Sequence, residues 1–104
     1  MKVSELLSSP EKWTKDWYFK DGNGNRISSW KDRRITCYCL MGAGFACYPD
    51  LSGETYHDTL VEVIRKLFPD RMKNCTQGNK VAYFNDHPDT TFEDVQRVLK
   101  EADV

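Results

Sequence analysis

From Ile35 to Pro49 the chain reads ITCYCLMGAGFACYP, fifteen residues without a charge. Such a stretch has to be covered by the rest of the molecule, because burial contributes roughly 25 cal/mol for every Å² of apolar surface. It is too short to cross a bilayer, which takes about 20 apolar residues as a helix. With Asp32 as a cap and no polar face beyond the opening arginines, the pattern predicts a central helix over residues 33–48, buried nearly all round. Gly42, Ala43, Gly44 and Ala46 carry little or no side chain, so a neighbouring element can approach the backbone closely. Each glycine weakens a helix by about 1 kcal/mol. Either a packing demand or a break near Gly44 has to account for them, and Pro49 marks the end of the element.

The cover has to come from sequence on both sides. After Ser52, ETYHDTLVEVIRKLF places Tyr56, Leu60, Val63, Ile64 and Leu67 on one stripe, which predicts an amphipathic helix near 53–68. Glu54 at its start and Arg65 and Lys66 at its end suit the helix dipole. Near the C-terminus Thr91 and Asp94 resemble a capping box, and Phe92, Val95, Val98, Leu99 and Ala102 follow at helical spacing, giving a last helix over 91–102. Upstream, Val3 to Ser8 reads as a short helical turn, and Ser9-Pro10 as a cap followed by a first-turn proline that leads into Trp13. DWYFK and RISSW flank DGNGN, which predicts a β-hairpin at 16–30 with Trp17 and Phe19 on one face and Tyr18 on the other. The expected fold is α+β and mostly helical: an N-terminal β-hairpin packed on about three main helices around the buried central one. A chain of 104 residues fits one domain, 1–104.

Between the last two helices, RMKNCTQGNK reads as a polar loop, followed by YFNDHPDTTFEDV. Pro88 forbids simple continuation of a helix through His87, and short polar side chains such as Asn85 and Asp86 commonly bond nearby backbone amides. The expectation is a joint, in which Val81 to Phe84 pack inward, Asn85 and Asp86 satisfy a turned backbone, and Phe92 resumes the core.

Charge and cysteine usage exclude several classes. A formal net charge of −1 gives no general attraction for nucleic acid, although residues 1–35 hold eight basic and five acidic side chains. The N-terminus lacks the apolar core of a signal peptide, so a cytoplasmic protein with no membrane contact is expected. Three of the four cysteines, Cys37, Cys39 and Cys47, lie in the uncharged run and read as reduced, buried thiols. On a helix Cys37 and Cys39 point to nearly opposite sides, and with no Cys-x-x-Cys knuckle neither zinc nor any other cofactor is expected. Cys75, with His57 or His87 as base, is the available set for cysteine catalysis, but nothing in the spacing brings them together.

The elements YCLMGA (38–43), an amphipathic helix, FND (84–86), Pro88, Thr91 and Val95 resemble an uncharacterised domain family of bacteria and their phages. Its members carry an aromatic-Cys-Leu-x-Gly-Ala element and, some forty residues on, a Trp-Asn-Asp turn before a final helix. KWTKDWYFKDGNGN (12–25) is similar to the family's Trp-containing start, and the resemblance runs over about residues 10–103. Phe84 in place of tryptophan, the extra His87, and Cys37 and Cys47 depart from the pattern. The resemblance implies a shared fold and a prokaryotic or phage origin, and brings no activity, substrate or cofactor.

Function is expected in recognition rather than catalysis. Trp13, Trp17, Tyr18, Phe19 and Trp30 fall within eighteen residues, among Lys12, Lys15, Lys20, Arg26, Lys31, Arg33 and Arg34. One small core cannot cover both faces of a hairpin, so Trp13, Trp17, Tyr18, Trp30, Arg33 and Arg34 are the candidate contacts for a protein partner. The reading is a small interaction protein, a phage or mobile-element accessory factor that binds a host protein. The alternative is a small-ligand or nucleotide-binding protein with a pocket near Asn85, Asp86 and His87, and a small hydrolase comes third.

Overall fold

A computed structural model describes residues 1–50 and 53–104. Helix α1 (Val3–Leu6) and a 3-10 turn at Pro10–Lys12 lead into three short strands, β1 (Phe19–Lys20), β2 (Arg26–Ile27) and β3 (Cys37–Tyr38). Helices α2 (Leu40–Cys47) and α3 (Gly53–Leu67), a 3-10 turn at Pro69–Arg71, α4 (Lys80–Asp86) and α5 (Phe92–Ala102) follow. The molecule is mostly helical α+β with its strands at the N-terminal side, as the sequence implies. No helix among the described residues is long and apolar enough to cross a membrane.

The hairpin forms where DGNGN places its turn. Asp21 shapes it, with its carboxylate accepting from the Asn23 and Asn25 amides at 2.8 and 2.9 Å. Phe19 pairs with Ile27 across β1 and β2, and both are buried. Tyr18 is exposed and Trp17 half-buried, its indole Nε1 donating to the Ile27 carbonyl at 3.0 Å.

The uncharged run departs from expectation at its front. Residues 33–36 are irregular, Cys37–Tyr38 pairs antiparallel with β1 as a third strand, and the helix runs only from Leu40 to Cys47. The Thr36 and Cys39 amides donate to the Lys20 and Tyr18 carbonyls, so hydrogen bonds that a helix would make internally go to the hairpin. The β-branched and aromatic residues Ile35, Thr36 and Tyr38 suit a strand, and the third strand covers the open side of β1. Asp32 closes a turn instead of capping a helix, accepting from the Arg34 amide at 2.9 Å. Cys39 is the residue before the helix, and its sulfur accepts from the Gly42 amide at 3.3 Å. Cys37 and Cys39 therefore lie outside the helix, and the helical argument that set them on opposite sides does not apply.

Both α2 glycines answer to packing, and neither breaks the helix. A Cβ on Gly42 would fall 2.2 Å from the Tyr18 carbonyl oxygen, and one on Gly44 would fall 2.3 Å from the ring of Tyr56. Tyr56 is locked in place because its hydroxyl donates to the Leu40 carbonyl at 2.7 Å. The stripe of α3 thus meets the bare side of α2, with Leu60, Val61 and Ile64 buried beside Tyr56.

The segment before Pro88 is a helix that the sequence reading did not separate from its joint. Asn79 caps α4 by accepting from the Ala82 amide at 2.9 Å, Val81 and Phe84 face inward, and the helix stops at Asp86 ahead of Pro88. The capping box of Thr91 and Asp94 is present at the start of α5. Asp94 also accepts from Arg71 Nη1 at 2.8 Å, and the same guanidinium donates to the buried Thr90 hydroxyl.

Gly44→Ala is expected to cost about 2 kcal/mol in urea unfolding, because Tyr56 has to leave its bond to Leu40 to make room, and this outweighs the helix-propensity gain of about 1 kcal/mol. Gly42→Ala should cost at least as much, since the obstacle is backbone. Gly78→Ala, with nothing within 4 Å of its new Cβ, should change little.

Burial alone would raise the Asp94 carboxyl, but the bonds from Arg71 and Thr91 outweigh it and hold the group below its usual value of 3.8. A carboxylate depressed on folding stabilises the fold above the unfolded value and loses that contribution as pH falls through the folded one. Asp94→Asn should therefore cost about 1 kcal/mol at pH 7. In unfolding curves taken at successive pH values, the gap to the unsubstituted protein should close below pH 3.8.

Candidate functional site

The polar cluster expected to bend the chain joins distant segments instead. Asn85 is fully buried on α4. Its Oδ1 accepts from Trp13 Nε1 at 2.7 Å and from the Leu40 amide at 3.0 Å. Its Nδ2 donates to the Thr14 carbonyl at 3.0 Å and to Asp86 Oδ1 at 2.9 Å. A carboxamide has two acceptor lone pairs and two donor hydrogens, so its capacity is filled. Asn85 serves the backbone at residues 14 and 40 rather than its own turn, and it has nothing left for a ligand. Trp13 is accordingly a structural clasp, its ring packed 6.4 Å from that of Phe92.

The neighbouring residues extend the lacing. Asp86 Oδ1 accepts from the Asp16 amide at 2.9 Å, and Lys15 Nζ donates to the His87 carbonyl at 2.7 Å. Asp16 adopts a left-handed backbone conformation, φ 71°, and the strand-bound aromatics start directly after it. Between this segment and α4 lies a cavity of about 220 Å³, lined by Asp16, Trp17, Tyr18, Cys39, Ala82 and Asp86. Two groups of residues that the sequence kept apart, Trp17 and Tyr18 on one side and Asp86 on the other, meet here. Asp16, Cys39 and Ala82 were missed. Only the pair of aromatics beside Asp16 offered any hint, because contacts some seventy positions apart leave no local pattern.

The remaining candidates lie elsewhere. Trp30 and Arg33 are exposed in the connection after β2, with the Lys31 ammonium 5.3 Å from the Trp30 ring centroid. Arg34 forms an ion pair with Asp32 at 2.8 Å, and its bonds hold that carboxyl down at about 2. His87 Nδ1 accepts from the Asp89 amide at 3.1 Å, and the ring does not line the cavity. His57 Nε2 accepts from the Lys80 amide, while Nδ1 faces Asp58 at 3.1 Å, so it joins α3 to the start of α4. Burial pushes the Cys39 thiol up to about 11, which keeps it protonated at neutral pH. Among the described residues no group of three or more His, Cys, Asp or Glu side chains is placed to hold a metal ion.

The sequence matches the model of a family of unknown function (DUF6197) over residues 1–103. The chain belongs to that family. Neither the curated proteins nor the solved structures hold a match to it. Membership brings no activity to the site, and the chemistry has to be argued from the residues themselves.

Removing the Asn85 carboxamide strands the Trp13 indole, the Leu40 amide and the Thr14 carbonyl together. Because each unsatisfied buried group costs about 1–3 kcal/mol, Asn85→Ala is expected to lose at least about 3 kcal/mol in urea unfolding. Trp13→Phe should lose less. The double substitution should fall short of the sum of the two, since both remove the same bond.

Proposed function

We propose that this protein is a non-enzymatic recognition module that grips a protein partner through the outer surface of its hairpin and the connection after β2. The observation that carries the reading is the exposure of two large rings, Tyr18 at 39% and Trp30 at 37%. Their surroundings favour an interface. The Arg26 guanidinium lies 4.7 Å from the Trp17 ring centroid, Lys31 stacks on Trp30, and Arg33 is open to solvent. Aromatic rings and arginine are the residue types enriched at interface hot spots, the rings because they bring large contact area with few rotatable bonds and arginine because its planar guanidinium donates several hydrogen bonds. Of the six contacts expected from sequence, Tyr18, Trp30, Arg33 and Arg34 are exposed, which supports the reading. Trp13 is engaged internally, Arg34 is exposed but paired with Asp32, and Trp17 is half-buried with its indole bonded to Ile27.

The resemblance to a domain of bacteria and their phages supplies the partner pool: a host protein bound by an accessory factor of a phage or mobile element. A nucleotide-sized ligand at Asp86 is less well supported, since the 220 Å³ cavity there lies below the roughly 300–1,000 Å³ of drug-sized sites.

Tagged protein and the Trp30→Ala/Arg33→Ala variant, incubated with bacterial lysate, should differ. A protein retained by the unsubstituted chain should be depleted about tenfold on the variant, whose unfolding midpoint is measured alongside to show that it stays folded. Equal retention would count against this surface.

A further inference from the structure

We infer that the cavity between Trp17, Tyr18, Asp16 and Asp86 receives the cationic tip of a lysine or arginine side chain carried by a protein partner. The inference rests on the protein-binding reading for the source of the cation, and on the cavity alone for its chemistry.

Charge is the first ground. Among the described residues, the charged ones lining the cavity are Asp16 and Asp86, and no lysine or arginine lines it. Asp86 Oδ1 is occupied by the Asp16 amide and Asn85 Nδ2. Among the described residues, no donor reaches Asp86 Oδ2 or either Asp16 carboxylate oxygen. The nearest cation in sequence, Lys15, is held at the His87 carbonyl and over the Trp13 ring. Two solvent-exposed carboxylates therefore border one space with no positive partner among the described residues.

The walls are the second ground. Trp17 and Tyr18 stand with ring centroids 6.0 Å apart and planes inclined at 61°. Aromatic faces attract ammonium and guanidinium groups through their quadrupole, and the attraction grows as water is removed. Trp17 already attracts one such group: Arg26 stacks on it without lining the cavity. Cys39 and Ala82 complete the lining with a neutral thiol and a methyl group, which suits the alkyl stem of a long basic side chain.

Size and rigidity select the occupant. A volume of 220 Å³ accommodates a side-chain tip rather than a whole cofactor. The Asp86 carboxylate is set in advance, since Asn85 donates to it and it in turn holds the Asp16 backbone amide, so little ordering of Asp86 is left for binding to impose. Tyr18 belongs both to the cavity wall and to the proposed contact surface, which makes the cavity a socket at that surface for one projecting side chain.

The test titrates the ¹⁵N-labelled protein with N-acetyl-lysinamide, N-acetyl-argininamide, the neutral N-acetyl-citrullinamide and putrescine, reading the Trp17 indole N–H resonance. Trp17 lines the cavity, so its indole shift reports on binding there. The two cationic amides should give saturable shifts in the millimolar range expected of a single side chain, and the citrulline amide none. Asp86→Asn and Asp16→Asn should each weaken binding roughly three- to tenfold. Both are near-isosteric: the asparagine oxygen at 86 can still accept from Asp16 and Asn85, and asparagine tolerates the left-handed backbone at 16. Absence of a saturable shift, an equal shift with the citrulline amide, or undiminished binding by both variants would overturn the cation site. Putrescine bound tenfold more tightly than either amide would overturn the side-chain source in favour of a free amine. Because no partner is present in the titration, its failure is distinct from a failure to retain a partner from lysate.

Discussion

The carboxamide of Asn85 meets partners from three separate stretches of chain: the indole of Trp13 and carbonyl of Thr14, the amide of Leu40 at the start of α2, and the carboxylate of Asp86 beside it. In a buried site such a group costs stability unless every lone pair and hydrogen is matched, so its full pairing sets the position of each partner at once. The N-terminal segment, the central helix and α4 are held in one arrangement by this side chain. Asp86 extends the constraint outward by gripping the Asp16 amide. The open space beside Trp17 and Tyr18 is the outer end of this buried network, which is why a structural joint and a candidate recognition socket share the same residues.

The central helix complements that network. Its first residue is tied to Asn85 and to Tyr56, and its glycines let the Tyr18 backbone and the Tyr56 ring come closer than any side chain would permit. Burial at α2 thus depends more on backbone proximity than on side-chain volume. Close approach also explains how one eight-residue helix supports β1 on one side and α3 on another.

Legibility followed the kind of signal each element carries. The amphipathic stripe of α3 and the capping box of α5 were readable because period and cap chemistry are local, and the hairpin because its turn residues are. The third strand was not, since an uncharged run has the same hydropathy whether its front half pairs with β1 or coils. α4 was too short, at seven residues, for periodicity to emerge. The aromatic-basic cluster was visible as composition, but which rings stay outside depends on Asn85 capturing Trp13 and Ile27 capturing Trp17, bonds that no spacing encodes. The cavity was hidden for the same reason: its lining comes from residues 16–18, 39, 82 and 86.

The Ser4 amide donates to the Val104 carbonyl, and Lys2 pairs with Asp103, while Trp13 waits for Asn85. Contacts of such long sequence separation form late, because loop closure has to precede them. During synthesis a nascent chain emerging from the ribosome would present Trp13 and the uncharged run before α4 and α5 exist to pack against them. Its shelter in that interval has to come from outside the polypeptide or from speed of collapse.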